Sequence, residues 1–226
     1  MSKLIADRLF AAIDTGDADA VSQCLADDAG LAAARDDDGV SALMHALYRG
    51  RATIAEEIAT ALPALDVFEA AALGRVERLA ALLENDATLS GARSPDGFTA
   101  LHYPAFFGLG DAAGSARALL AAGADVNARS ENVFSVEPLH SAVAGGHDDV
   151  VAVLVEAGAD VNARQRHGWT PLLGAAQNGS LASVERLLAA GADPAARNDD
   201  GMSAVELARA ADHGAIAERV EQALDG

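Results

Sequence analysis

Lysine, cysteine and aromatic residues are scarce in this 226-residue chain, and each shortage removes a class of function. Lys3 is the only lysine among 16 basic residues, and 34 acidic residues bring the formal net charge to −18. With so little lysine there is no phosphate-cradling loop of the G-x-x-x-x-G-K type. The negative charge argues against nucleic acid and membrane as partners, because both require a positive footprint. It favours solubility and a basic partner. Cys24 is the single cysteine, which rules out an intramolecular disulfide and a thiolate zinc site; it sits on an apolar helical face and is expected to be a buried thiol. No run of 18 apolar residues exists, and Lys3, Asp7 and Arg8 interrupt the first residues where a signal peptide would need an apolar core. The chain is therefore expected to be cytoplasmic. Aromatic residues make up 4% of a composition that is 51% hydrophobic, so the core must be alanine, leucine and valine, which suits closely packed helices.

What the chain does have is a period. Pro138-Leu139 recurs 33 residues later as Pro171-Leu172, Gly146 as Gly179, and Gly158 as Gly191. A fixed spacing of this size signals stacked repeats. Within the unit, Thr170 is suited to cap a helix whose first residue is Pro171, where the missing N–H costs nothing. Gly146 ends a short first helix. Val150, Val153, Leu154 and Ala157 then give a second helix one apolar face, and Gly158 stops it. Ala159 to Gly168 reads as an extended hairpin leading to the next cap. One such unit buries too little apolar surface to offset the entropy of ordering it, so neighbours must stack.

These residues resemble the ankyrin repeat. The pattern D-x-x-G-x-T-P-L-H-x-A-A-x-x-G-H, an apolar helix and G-A-D-V-N, stands nearly intact in 138–162 and again in 168–193, and the likeness extends over essentially the whole chain. It implies an all-α solenoid of about seven helix-turn-helix units carrying β-hairpin fingers. The helix-ending glycines, Gly16, Gly50, Gly74, Gly108, Gly146 and Gly179, lie 34, 24, 34, 38 and 33 residues apart, with Asp212 in the seventh such place. A single domain over 1–226 is expected, with units at about 2–35, 36–64, 65–94, 95–129, 130–164, 165–197 and 198–226, the first and last serving as caps.

Two places break the pattern. The 24-residue interval omits about nine residues between the second and third units, so a tight turn at Pro63 should replace a finger and leave a gap in the row. In the fourth unit Pro104 removes a hydrogen bond to Ala100 and should kink the helix. The turn after Gly108 carries three extra residues, the finger that follows is two residues longer than standard, and Glu137 takes its cap position.

Catalytic signals are poor, and no enzyme, cofactor or metal site is expected. Ser41 and Ser203 follow glycine in GVS and GMS, but the second glycine of a nucleophile elbow is missing, and both read as helix caps. His102 and His140 occupy the leucine-histidine position, which the resemblance implies bonds neighbouring backbone; Thr99 and Thr170 are the caps, and Gly108, Gly146 and Gly179 the helix ends. Arg35, Arg93, Arg129, Arg164 and Arg197 recur at one place in successive fingers. They are expected to pair with Asp36–Asp38, Asp96 and Asp199–Asp200 rather than to form an anion-binding stripe.

The resemblance further implies that partners are met on the concave side, by residues after the finger glycine, after the leucine-histidine pair and before the helix-ending glycine. Tyr48, Phe98, Tyr103, Phe106, Phe107, Trp169, Gln177 and Asn178 fall there, and Phe134 in the lengthened finger lies near them. Interfaces favour aromatic anchors. The expected function is a non-catalytic scaffold, monomeric, binding a partner protein through that face and the finger tips. Two alternatives stay open: a small-molecule or unusual enzymatic groove between units four and five, and an acidic mimic of nucleic acid.

Overall fold

The computed structural model describes residues 3–225; Ser2 and Gly226, the expected outer bounds of the first and last units, lie outside the described residues. Fourteen α-helices follow one another in pairs: α1 (Lys3–Thr15) and α2 (Ala18–Asp27), α3 (Ala42–Tyr48) and α4 (Ala52–Ala61), α5 (Val67–Ala72) and α6 (Val76–Asn85), α7 (His102–Phe107) and α8 (Ala112–Ala121), α9 (Pro138–Gly145) and α10 (Asp148–Glu156), α11 (Pro171–Asn178) and α12 (Leu181–Ala189), and α13 (Ala204–Ala210) and α14 (Gly214–Leu224). Each first helix packs on the first helix of the next pair, from α1 through α13, while α8, α10, α12 and α14 stack as a second row behind. No helix is long and apolar enough to cross a membrane, among the described residues.

Local chemistry sets the helix ends. The hydroxyl of Thr170 accepts the N–H of Leu173 at 3.4 Å, and Ser41 and Ser203 accept from Met44 and Glu206 at 3.3 Å each, so both serines are caps. Each satisfies a main-chain donor that the first helical turn leaves free. The stops need a left-handed residue: Gly108, Gly146 and Gly179 take φ of 60°, 72° and 82°, and Asp212 supplies the same bend at 62° despite its side chain. Between the helices Leu43, Leu101, Leu139 and Leu172, one per repeat, are at most 1% exposed, with Val205 continuing the line at 8%. Each contributes about 1.5–3 kcal/mol by leaving water. Cys24 is buried within this core.

Three expectations are corrected. The fingers are not extended hairpins. The antiparallel pairings are single bridges, Arg35 with Ser41, Arg93 with Thr99 and Arg197 with Ser203, and no named strand occurs among the described residues. Each finger is a tight loop closed by one or two main-chain bonds at its neck, such as Ser94 N–H to Phe98 O at 2.9 Å or Gln165 N–H to Trp169 O at 2.9 Å. The cap residue follows at once and starts a helix, so no ladder can lengthen.

Pro104 does not kink a helix. Instead α7 starts at His102, two residues later than the matching position in α9, after a tighter turn in which His102 N–H meets Thr99 O and Tyr103 N–H meets Ala100 O. Pro104 thus falls in the first turn, where a missing N–H leaves no bond unmade.

The gap left by the missing finger is closed as well. Pro95, from the finger before α7, sits against Gly39 of the finger before α3. A void of only about 20 Å³ remains between the two fingers.

Asp212 gives a direct test of the left-handed stops. Its side chain is exposed and makes no bond among the described residues, so Asp212→Gly should relieve backbone strain at no loss of contacts. The variant is expected to raise unfolding stability by about 0.5–1 kcal/mol, read as an increased urea midpoint at unchanged m-value; a lowered midpoint would show that residue 212 carries no strain.

Candidate functional site

The finger side of the fourth repeat begins from Tyr103. Its ring is 3% exposed and stands at the centre of an aromatic cluster, 5.8 Å from Phe68 and 6.3 Å from Phe98 in edge-to-face geometry, and 6.3 Å from Phe107 with the planes 7° apart. Phe107 in turn meets Tyr48 at 5.5 Å and Phe106 at 5.2 Å. Such contacts add about 0.5–1.5 kcal/mol each beyond burial.

The cluster is anchored by Asp96, whose carboxylate accepts the hydroxyls of Tyr103 at 2.9 Å, Tyr48 and Ser94. Tyr48 lies at the end of α3, two repeats away in sequence, so this bond bridges the place where a finger is missing. Burial and the neighbouring carboxylate drive the hydroxyl pKa values of both tyrosines upward, well beyond the phenol range, and both rings stay neutral. The sequence reading missed Asp96 and Phe68 as members of this cluster. Tyr48 pointed to them only through the shortened repeat before α5.

Two adjoining recesses open beside the cluster. The first holds about 310 Å³ and is lined by Tyr48, Phe98, Tyr103, Phe106 and Phe134 together with α9 side chains. The second, of about 460 Å³, continues along the same face past Trp169, Gln177 and Asn178 to Arg166 and His167. Phe134 and Ala144 belong to both. Phe106 and Phe134 are 47% and 56% exposed, as suits contact residues.

Eight of the nine side chains expected to meet a partner line one recess or the other. Phe107 lines neither; it is held among Tyr48, Tyr103 and Phe106 and supports the wall from behind. Tyr103 is corrected from a surface anchor to a buried floor, since its two sides are taken by Phe107 and Phe68. Asn178 reaches back, its amide donating to Val143 O at 3.0 Å, so it ties α11 to α9.

Behind the recesses, the histidines stitch one repeat to the next. His102 Nδ1 accepts from the Thr99 hydroxyl at 2.8 Å and N–H at 3.2 Å, while Nε2 meets Val136 O at 3.1 Å. His140 repeats this with Glu137 N–H at 3.4 Å and Ala163 O at 3.1 Å. Only the neutral ring protonated at Nε2 satisfies both sides. Burial lowers the pKa of His102 from 6.5 to about 4, and burial lowers that of His140 too.

The finger arginines form a second stitch. Arg93 donates to Arg129 O at 2.8 Å, Arg129 to Arg164 O at 3.2 Å, and Arg164 to Arg197 O at 2.8 Å. Their carboxylate partners are corrected from the expected aspartates to Asp66 for Arg35, Glu131 for Arg93, Glu137 for Arg129, Asp199 for Arg164 and Glu206 for Arg197. Only Asp199 was foreseen. An anion-binding stripe is not formed, because every guanidinium in the row is already engaged.

A family model described as "Ankyrin repeats (3 copies)" matches residues 113–198. Residues 113–198 carry ankyrin repeats. The chain is 36% identical over 125 residues to neurogenic locus notch homolog protein 1 of Danio rerio, covering 55% of this chain and 5% of that protein. It is 35% identical over 128 residues to the tyrosine-protein kinase Shark of Drosophila melanogaster, covering 56% of this chain and 13% of the kinase. Protein phosphatase 1 regulatory subunit 27 of Mus musculus is 38% identical over 81 residues, 34% of this chain and 53% of the subunit. The chain thus spans about half or less of the length of these relatives. Ankyrin repeats are in general protein–protein interaction modules, and no group of three or more histidine, cysteine or acidic side chains poised for a metal occurs among the described residues.

The histidine stitch makes stability depend on pH. The folded chain keeps His102 neutral down to about pH 4, whereas the unfolded chain takes up a proton near 6.5. The stability this contributes is full above pH 6.5 and is lost as pH falls toward 4. Glu69 and Glu137, whose pKa values burial raises, act in the opposite sense, so a variant is needed to isolate the histidine. His102→Asn should cost about 1–3 kcal/mol at pH 7. That deficit should shrink by up to roughly 3 kcal/mol at pH 4, compared by urea unfolding of both proteins. A deficit independent of pH would refute the neutral-histidine assignment.

Proposed function

We propose that this ankyrin-repeat protein is a non-catalytic scaffold that binds a partner protein through the face formed by its fingers and first helices, centred on the two recesses between α7 and α11. The observation that supports it most is the gathering of scarce aromatic residues. Of nine in the chain, five line the first recess and Trp169 the second. Exposed aromatic side chains beside a preformed depression are the usual anchors of protein interfaces. The aromatic wall rests on Asp96 and on the histidine stitch, so the site is held in shape before a partner arrives, which reduces the cost of binding. The cytoplasm is the compartment we assign to it, in keeping with a lone buried thiol.

A second reading has one observation in its favour. The first recess is almost wholly apolar and reaches the lower end of the size range of small-molecule sites.

A capture experiment from native lysate separates the two. Phe106, Phe134 and Trp169 are the side chains to replace, since Tyr103 is structural. The intact protein should retain a partner that the Phe106→Ala, Phe134→Ala, Trp169→Ala variant loses by at least about 30-fold, the size of a small hot-spot cluster, with unchanged helical circular dichroism. Equal capture by both would move the site elsewhere; capture by neither, with a metabolite raising the melting temperature of the intact protein alone, would establish the small-molecule reading.

A further inference from the structure

Net charge alone calls for a basic partner, but no aspartate or glutamate lines either recess. Nearby, Asp96 accepts three hydroxyls, Glu131 pairs with Arg93, and one oxygen of Glu137 pairs with Arg129 while the other is buried without a partner. The one arginine lining either recess is Arg166, at the tip of the finger before α11. It is exposed, and among the described residues it makes no hydrogen bond or ion pair, unlike Arg164 two residues earlier, which is bonded to Arg197 O. The fold therefore spends its other finger arginines on stacking and leaves this one facing the second recess.

Two further polar groups are free. Ser141 is 6% exposed and lines the apolar recess, yet its hydroxyl has no partner among the described residues. The side-chain amide of Gln165, shared by both recesses, likewise has none. Both groups are reachable from the recess and can bond to a bound segment. The apolar recess is about twice the roughly 150 Å³ that holds one benzene ring, room for a bulky aromatic or aliphatic side chain.

From this arrangement, and resting on the proposed interaction function, we infer that the groove binds an extended segment of a partner protein in which a bulky apolar residue is followed, within about three residues, by a carboxylate. The apolar side chain fills the recess walled by Phe98, Phe106 and Phe134. The segment's main-chain amide takes the free hydrogen-bonding groups of Ser141 and Gln165, and the carboxylate pairs with Arg166. An extended chain advances about 3.3–3.6 Å per residue, so neighbouring residues fall in successive recesses. The wider negative field of the protein selects segments whose other charges are neutral or basic.

Peptide display against the intact protein tests this, with counter-selection on Ala144→Trp. Ala144 is exposed and common to both recesses, so the larger ring fills the groove without entering the core. Enriched peptides should carry Trp, Phe or Leu followed by Asp or Glu. A selected peptide should lose about fivefold in affinity, by fluorescence polarisation, against Arg166→Gln, the loss typical of one exposed charge pair. Against Arg166→Glu it should bind again when its own carboxylate is changed to lysine.

Enrichment of apolar residues with no carboxylate following them, or an affinity indifferent to Arg166, would overturn the inference while leaving an interaction module intact. Peptides retained equally by Ala144→Trp would do the same. A concentration-dependent dimer abolished by Ala144→Trp would assign the groove to a second copy, and an apolar dye that no peptide displaces would assign it to a small molecule; either outcome refutes the peptide assignment.

Discussion

Carbonyl groups of the fingers are the constraint around which this solenoid is built. A finger closed by only one or two main-chain bonds offers its other carbonyls no strand to pair with, and a buried carbonyl without a donor is costly. The donors come from side chains one repeat back. His102 serves Val136, His140 serves Ala163, and the arginines at 93, 129 and 164 serve the main chain at 129, 164 and 197. Asn162 extends the rule behind the fingers, its amide donating to Gly191 O while its oxygen accepts from Asp193 N–H. Each repeat is thereby completed by its neighbour through directed bonds as well as through apolar burial, and the spacing of one repeat from the next is fixed by side chains of definite length.

Where the row of fingers is interrupted, aromatic packing replaces this stitch. The five-residue connection from Leu62 to Asp66 leaves no finger to receive an arginine from the unit before, and Arg35 pairs with Asp66, the cap of α5, instead. The remaining distance is spanned by Tyr48, Phe68 and Tyr103, with two hydroxyls converging on Asp96. A missing finger thus accounts for the concentration of aromatic residues at this point in a chain that otherwise has few. Its consequence is a wall of rings on the accessible face, which a regular array of small residues would not provide.

The repeats themselves were legible from glycine spacing, the caps and the leucine-histidine pair, because each is a local rule: a left-handed stop, a hydroxyl beside a first turn, an apolar face of period 3.6. The arginine row was visible too, but its partners were not. Arg129 chooses Glu137, and Arg197 chooses Glu206, on the following cap and helix rather than on the nearby finger aspartates, a choice set by where the tight loop aims the side chain. Pro104 was misread for a related reason: a proline breaks a helix only where an N–H was due, and the late start of α7 moved it into the first turn. The aromatic positions were found by register, yet register cannot separate Tyr103, which turns inward, from Phe106 on the same helix, which is exposed. That difference arises only when Phe68 and Phe107 are brought around the tyrosine.

Regularity and irregularity then divide the labour at the site. The units built on α9 and α11 keep the stitch intact and supply rigid walls, with His140 satisfied on both nitrogens and Thr170 capping its helix. The unit built on α7 departs from the pattern three times, in its late start, its extended turn and its longer finger, and each departure adds to the recess. The late start lets Tyr103 face Asp96, the extended turn carries Gly108 under the ring of His147, whose Nε2 meets Phe106 O at 3.0 Å, and the longer finger brings Phe134 over the opening. A fully regular repeat in this place would pack more tightly and leave neither the depression nor the unpaired hydroxyl of Ser141. Specificity in such a solenoid therefore resides where the period fails, and the strict repeats on one side are what keep the failure in a single shape.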